Sequence, residues 1–272
     1  MNLLSPISYL LSSISYHLSP IISLDQDSMK IKTLFVVALF LCCGQYLKAA
    51  ELPFEKEITA YEVKLKENPP VENSTMFVGS STWRLWQKQL ETDFVDLKAV
   101  NVGFGGATIP DLLRAADRIV IPHKPARIAF FCGGNDVARK MTPDVVLGNF
   151  KKYLAKIWTA DPLCEIYFVS VTHAPVRSAS WPQSDQFNDS VKALAEKLDG
   201  LYFIDIRPAM NDENGNIREE LFLPDRLHLN RDAQEIWIPM ILDAVKNGQE
   251  MKNVAENLDT IKKQRSEALK EM

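Results

Sequence analysis

At 272 residues, with 46% hydrophobic and 24% charged residues and a formal net charge of -4, the chain has the composition of a globular protein sized for one α/β domain with extensions. A core of that size needs no disulfide or metal staple. The charge is mild and no Lys/Arg cluster alternates with aromatics, which argues against nucleic acid as a partner.

Residues 29–50 read as an export signal. Met29-Lys-Ile-Lys supplies a positive start, Leu34 to Cys43 an apolar stretch too short to span a bilayer, and Lys48-Ala-Ala a small-residue end. Met29 is therefore the expected start of translation, residues 1–28 an upstream extension, and the mature protein secreted or periplasmic with no stable membrane span. Cys132 and Cys164 are then the cysteines of the exported part, too few for a disulfide framework, and no CxxC metal pattern is present. Cys132 ends an apolar strand and is expected to be a buried thiol.

Residues 51–73 are charged and helical in pattern until Pro69-Pro70, a surface lead-in to the domain at 74–248. Met76 to Trp86, MFVGSSTWRLW, predicts a strand, a sharp turn and a helix. Gly79 is expected there for backbone angles closed to other residues. Ser80, Ser81 and Thr82 suit either a helix cap or a nucleophile at the carboxyl end of a sheet.

A second strand, Lys98 to Val102, runs into Gly103-Phe-Gly-Gly-Ala-Thr. Thr108 stands where a dinucleotide fingerprint needs glycine, so no cofactor is expected. Helices are predicted over Pro110–Val120, Pro143–Trp158 and Gln186–Leu198, and strands over Arg127–Phe131, Ile166–Val171 and Leu201–Ile204. The alternation of strand and helix implies a parallel sheet covered on both faces. A last core helix is predicted from Arg231 to Gly248, followed at 249–272 by a charged helix with Met251, Val254, Leu258 and Ile261 at heptad-like spacing, too short for an independent coiled coil and expected to pack back on its own domain in preference to a dimer contact.

In such a sheet the ligand crevice lies beyond the carboxyl ends of the strands. The chain delivers Gly79-Ser80-Ser81, Gly105-Gly106, Asn135-Asp136, His173 and the segment Pro224 to Leu229 to that end. A serine nucleophile needs a base. His17 precedes the export signal and His123 falls at the wrong end of the sheet. His173 is a rival at the right end, and His228 has Asp225 three residues earlier, close enough to fix its tautomer.

Four blocks in this order, Phe-Val-Gly-Ser-Ser at 77–81, Asn-Val-Gly-Phe-Gly-Gly at 101–106, Gly-Gly-Asn-Asp at 133–136 and Asp-Arg-Leu-His at 225–228, resemble the SGNH hydrolases, also called the GDSL esterase family. The resemblance spans roughly Met76 to Val245. It implies a flavodoxin-like three-layer α/β sandwich with a five-stranded parallel sheet in the order 2-1-3-4-5. It also implies Ser81 as nucleophile, with Ser80 where the family usually has aspartate, His228 as base and Asp225 as its orienting acid. The oxyanion donors it implies are the backbone N–H groups of Ser81 and Gly106 and the side-chain amide of Asn135. No metal or cofactor is implied.

The loops offer Arg84, Arg139, Arg177, Trp181 and Gln183, polar groups that suit a sugar ring better than an alkyl chain. The expectation is a secreted serine esterase acting on a small acyl group, O-acetyl first, on a small-molecule or carbohydrate ester, with His173, Trp181 and Arg84 touching the substrate. A lysophospholipase is the main alternative. A metal-dependent phosphoesterase using Asp136, His173, Asp225 and His228, and a non-catalytic glycan-binding module, are rivals from other classes.

Overall fold

Side-chain alternation along five short strands sets the architecture. The computed structural model describes residues 52–254 and 263–268. The expected extension at 1–28, the export signal at 29–50, and Leu258 and Ile261 of the heptad-like stretch lie outside the described residues.

In chain order the first elements are α1 (Glu55–Glu67), β1 (Thr75–Gly79), α2 (Ser81–Asp93), β2 (Ala99–Gly103), α3 (Ile109–Ile119) and β3 (Arg127–Phe131). They are followed by α4 (Gly134–Ala138), α5 (Pro143–Ala160), β4 (Glu165–Val169), α6 (Trp181–Ala195), β5 (Leu201–Ile204) and α7 (Arg231–Val254). The strands pair in parallel in the order β2-β1-β3-β4-β5, as the sequence implied. The central strands β1, β3 and β4 are buried along their whole length, because helices cover both faces.

Successive residues of a strand point to opposite faces, and two cores result. Met76, Val78, Ile128, Phe130, Ile166 and Phe168 face α1, α3, α5 and α6. Phe77, Ala129, Phe131, Tyr167 and Val169 face α2 and α7, where Trp83, Trp86 and Trp237 fill the space with tilted and edge-on ring contacts. The layers are helix, sheet, helix.

Three helices depart most from the expected ones. Helix α4 was not anticipated; its five residues are too few to show a 3.6-residue period. Helix α6 begins at Trp181, ahead of the expected Gln186, because Pro182 falls in the first turn, where its missing N–H has no intrahelical partner to lose. Helix α7 continues past Gly248 to Val254. That glycine does not end the helix: a Cβ there would sit 2.3 Å from the Tyr167 hydroxyl, so its absence lets α7 lie close on β4. Beyond it, residues 263–268 are helical and pack on the amino end of the sheet. There Arg265 donates to the carbonyls of Asp199, Pro162 and Cys164 and lies 5.1 Å above the Trp158 ring. No helix among the described residues is long and apolar enough to cross a membrane.

Candidate active site

The turn after β1 places Ser81. Gly79 lies so close to β3 that a Cβ would sit 2.2 Å from the Phe131 carbonyl oxygen, which in turn accepts from the Ser80 N–H at 3.0 Å. Gly79 is not in the left-handed region. It is required for space, not for the backbone angles expected from sequence. Ser80 is the N-cap of α2 in extended conformation and makes no side-chain cap bond. Ser81 is the first helical residue, so its N–H has no carbonyl one turn back and remains a free donor at a helix N-terminus. Buried Asn101 ties this turn to β2, donating from Nδ2 to the Trp83 carbonyl at 2.7 Å and accepting from the Gly103 N–H at 3.0 Å.

The hydroxyl of Ser81 meets His228, 147 residues later in the chain: Nε2 and Oγ are 3.0 Å apart. On the other side of the ring Nδ1 is 2.6 Å from Asp225 Oδ2. A carboxylate has no proton to give, so Nδ1 carries the hydrogen and Nε2 is the acceptor facing Ser81. The loop that presents them is braced on both strands of a short bridge, Phe222 to Leu229, with Leu223 N–H donating to the His228 carbonyl at 2.7 Å. Arg226 turns the chain in the left-handed region, φ 55°, and Asn230 caps α7 by accepting from the Ala233 N–H at 3.2 Å. Asp225 Oδ1 accepts the N–H groups of Leu227 and His228, each at 3.0 Å. Backbone donation from His228 and its ring hydrogen bond pull the Asp225 carboxyl down to about 2, so it is ionised throughout the working range of an enzyme.

Of the expected oxyanion donors, Ser81 and Asn135 line one cleft with His228, while Gly106 is not among the lining residues and its loop is tied to Asn135 through Ala107. Gly106 has φ +79° with open space where a Cβ would go, so here the glycine serves the backbone conformation. Its carbonyl accepts from Arg139 Nη2 at 3.0 Å, and its N–H has no protein acceptor among the described residues. Asn135, in α4, is held from both ends: Nδ2 donates to the Ala107 carbonyl at 2.9 Å and Oδ1 accepts from Arg177 Nη2 at 2.8 Å. An amide nitrogen has two hydrogens, which leaves one for the cleft that Asn135 lines. Asp136 turns away from the cleft, accepts the Ile109 N–H at 3.0 Å at the start of α3, and is pushed up to about 6 by burial.

The cleft has a volume of about 40 Å³. Ser81, Asn135, Arg177, Trp181 and His228 line it, with the hydroxyls of Thr172, Ser180 and Ser184 nearby. Of the three expected substrate contacts, Trp181 is in the cleft wall, held by donation from Nε1 to the Ala174 carbonyl at 3.0 Å. The other two are not. Arg84 is exposed and lies against Gly105, on the outside of the glycine loop. His173 stands behind Trp181, stacked on it at 4.6 Å and 5°, with Nε2 3.0 Å from Asp185. Periodicity carries no information about which side of a loop a side chain leaves, so sequence could not separate these cases. Arg177 was one of several loop cations in the sequence, and only its bond to Asn135 sets it apart. The four side chains required by a metal-dependent reading do not converge, and no group of three or more His, Cys, Asp or Glu arranged to hold a metal occurs among the described residues.

The arrangement can deprotonate a hydroxyl and stabilise a developing oxyanion, which is the equipment for acyl transfer. No curated protein sequence matches the chain. Among solved structures, a GDSL-like lipase from Bacteroides thetaiotaomicron is 20% identical, with 70% of this chain and 97% of that one covered and a TM-score of 0.61. An acetyl xylan esterase from Geobacillus stearothermophilus is also 20% identical, over 64% of this chain and 94% of that one, with a TM-score of 0.51. A carbohydrate esterase family 3 protein from Talaromyces cellulolyticus is 17% identical, over 67% and 100%, with a TM-score of 0.52. These likenesses show a common α/β fold. The sequence profile of the GDSL-like Lipase/Acylhydrolase family matches residues 71–236, and the chain belongs to that family of ester hydrolases.

Proposed function

We propose that this protein is a secreted serine esterase that removes a small acyl group, acetyl first, from a carbohydrate through an acyl-enzyme. The observation that carries the reading is the Ser81 hydroxyl 3.0 Å from His228 Nε2, with Asp225 2.6 Å from the opposite ring nitrogen. His228 takes the Ser81 proton as the oxygen attacks the ester carbonyl, and the ionised Asp225 stabilises the imidazolium that forms. The negative charge developing on the carbonyl oxygen is met by the N–H groups of Ser81 and Gly106 and by the free amide hydrogen of Asn135. His228 then protonates the departing alcohol, and water, activated by the same ring, releases the acid.

The volume of the cleft supports a small acyl group. A cleft of about 40 Å³ holds roughly three water-sized groups, which suits an acetyl better than a fatty chain. Trp181 with the hydroxyls of Thr172, Ser180 and Ser184 favours a sugar as the alcohol. The acetyl xylan esterase and carbohydrate esterase of the same fold support this choice. Export rests on the sequence of residues 29–50.

An organophosphonate probe followed by mass mapping tests the nucleophile; a label on any residue other than Ser81 overturns it. Acetate released from acetylated glycans, set against fatty acid released from lysophospholipid, tests the substrate, and a lysophospholipid preference would reverse the assignment. Amino-terminal sequencing of the mature protein from the periplasm or medium tests export, with a new terminus near Ala50 expected.

A further inference from the structure

Six arginines of the described residues, Arg114, Arg118, Arg207, Arg218, Arg226 and Arg231, are ion-paired to carboxylates. Arg177 and Arg139, beside the cleft, make no ion pair among the described residues. Arg177 is half-buried in the cleft wall and spends one N–H on Asn135 Oδ1. Its Nη1 lies 3.7 Å from where a Gly134 Cβ would be, which sets the remaining donors along the cleft edge next to Asn135. Arg139 donates to the Gly106 carbonyl across the same loop. The nearby carboxyls are otherwise engaged: Asp136 is buried under the α3 terminus and Asp225 is held by its own loop and His228.

A half-buried guanidinium without a counter-charge is costly. Burial first, and the like charge of Arg139 second, push Arg177 below its ordinary value. A planar fork of donors left open beside an acyl-transfer site matches the two oxygens of a carboxylate.

We propose that Arg177, with Arg139 beside it, forms an anion subsite next to Asn135, and that the natural ester carries a carboxylate, as in an O-acetylated acidic sugar. This rests on the serine-esterase reading above and adds its substrate class. Arg177 has two separable effects. Through Asn135 it positions an oxyanion donor for every ester, whereas through its open donors it holds only an anionic one.

The test compares O-acetylated glucuronic acid with O-acetylated glucose, using wild-type protein and Arg177→Gln, with p-nitrophenyl acetate as a control ester. Wild type is expected to favour the acidic sugar in kcat/KM by about tenfold or more, with the preference shrinking as salt rises. In Arg177→Gln that preference should fall to near one through KM, while kcat drops alike on both sugars. Arg139→Gln should reduce the preference less, and it stands in should Arg177→Gln fail to fold. Equal wild-type rates on the two sugars, or a preference that survives both substitutions, overturns the subsite. Turnover of p-nitrophenyl acetate without any acidic preference refutes the subsite alone. Absence of that turnover in folded wild-type protein refutes the esterase reading and the subsite with it.

Discussion

His228 and His173 both sit at the carboxyl end of the sheet and both hold an aspartate by one ring nitrogen, at 2.6 Å and 3.0 Å. What differs is the other side of each ring. Nε2 of His228 faces the Ser81 hydroxyl. The His173 ring lies flat on Trp181, and its Nδ1 has no protein partner among the described residues. The acids differ too. Asp225 is bound only by donors of its own loop, so its charge remains available to an imidazolium. Asp185 is also bound by Arg207, which in turn binds Asp189 and Asp205, so that acid belongs to an ion-pair cluster and not to the histidine alone. A histidine with a carboxylate becomes a general base only when a nucleophile occupies the second nitrogen, and that is a tertiary fact.

This contrast breaks most simply by removing its members. Ser81→Ala and His228→Ala are each expected to lower kcat for p-nitrophenyl acetate by at least about a thousandfold, since the two act as one unit. Asn135→Ala removes a single oxyanion donor and should cost about 100- to 1,000-fold in kcat. His173→Ala should stay within about tenfold of wild type on the same ester, because the lost stack loosens Trp181 without touching the proton path. A His173→Ala loss as deep as that of His228→Ala would make the two pairs equivalent and end the distinction drawn from Nε2.

The elements with long or strongly apolar patterns were legible in the sequence: β3 and β5 have the expected bounds, and the order of strands follows from the block pattern. The reasons behind single residues were harder. Gly79, expected to serve unusual backbone angles, instead needs space against Phe131, whereas Gly106 is the glycine that takes a left-handed backbone. A sequence says that a side chain is missing, not whether φ or a neighbour forbids one. The acid and base were readable because Asp225 and His228 share one turn, so local spacing brings them together. Arg84, His173 and Arg177 are equally plausible wall residues from sequence; Arg84 is separated by its place on α2 against Gly105, and the other two by the packing around α6. Asn188 pins that helix to the segment after β4 through paired bonds with Val171, both 2.9 Å, fixing Trp181 toward the cleft and His173 behind it.

The smallest expected effect sharpens the same point with two carboxyls. Asp225 is open to water and surrounded by donors, and it falls to about 2. Asp136 is fully buried, and it rises to about 6. Unfolded, both would titrate near 3.9. Between roughly pH 4 and 6 the native state therefore keeps a proton on Asp136 that the unfolded chain has released, and stability from this group falls as pH rises through that window. The Asp225 contribution has the opposite sign: it is present above about pH 4 and is lost as pH falls toward 2. Asp136→Asn keeps an acceptor for the Ile109 N–H and cannot titrate. Unfolding free energies from urea titrations between pH 4 and 7.5 should decline in wild type relative to Asp136→Asn, by at most about 3 kcal/mol for a shift of roughly two units. Parallel curves would mean that Asp136 is ionised throughout, and that the N-terminus of α3 offsets its burial more strongly than one backbone N–H and a helix dipole account for.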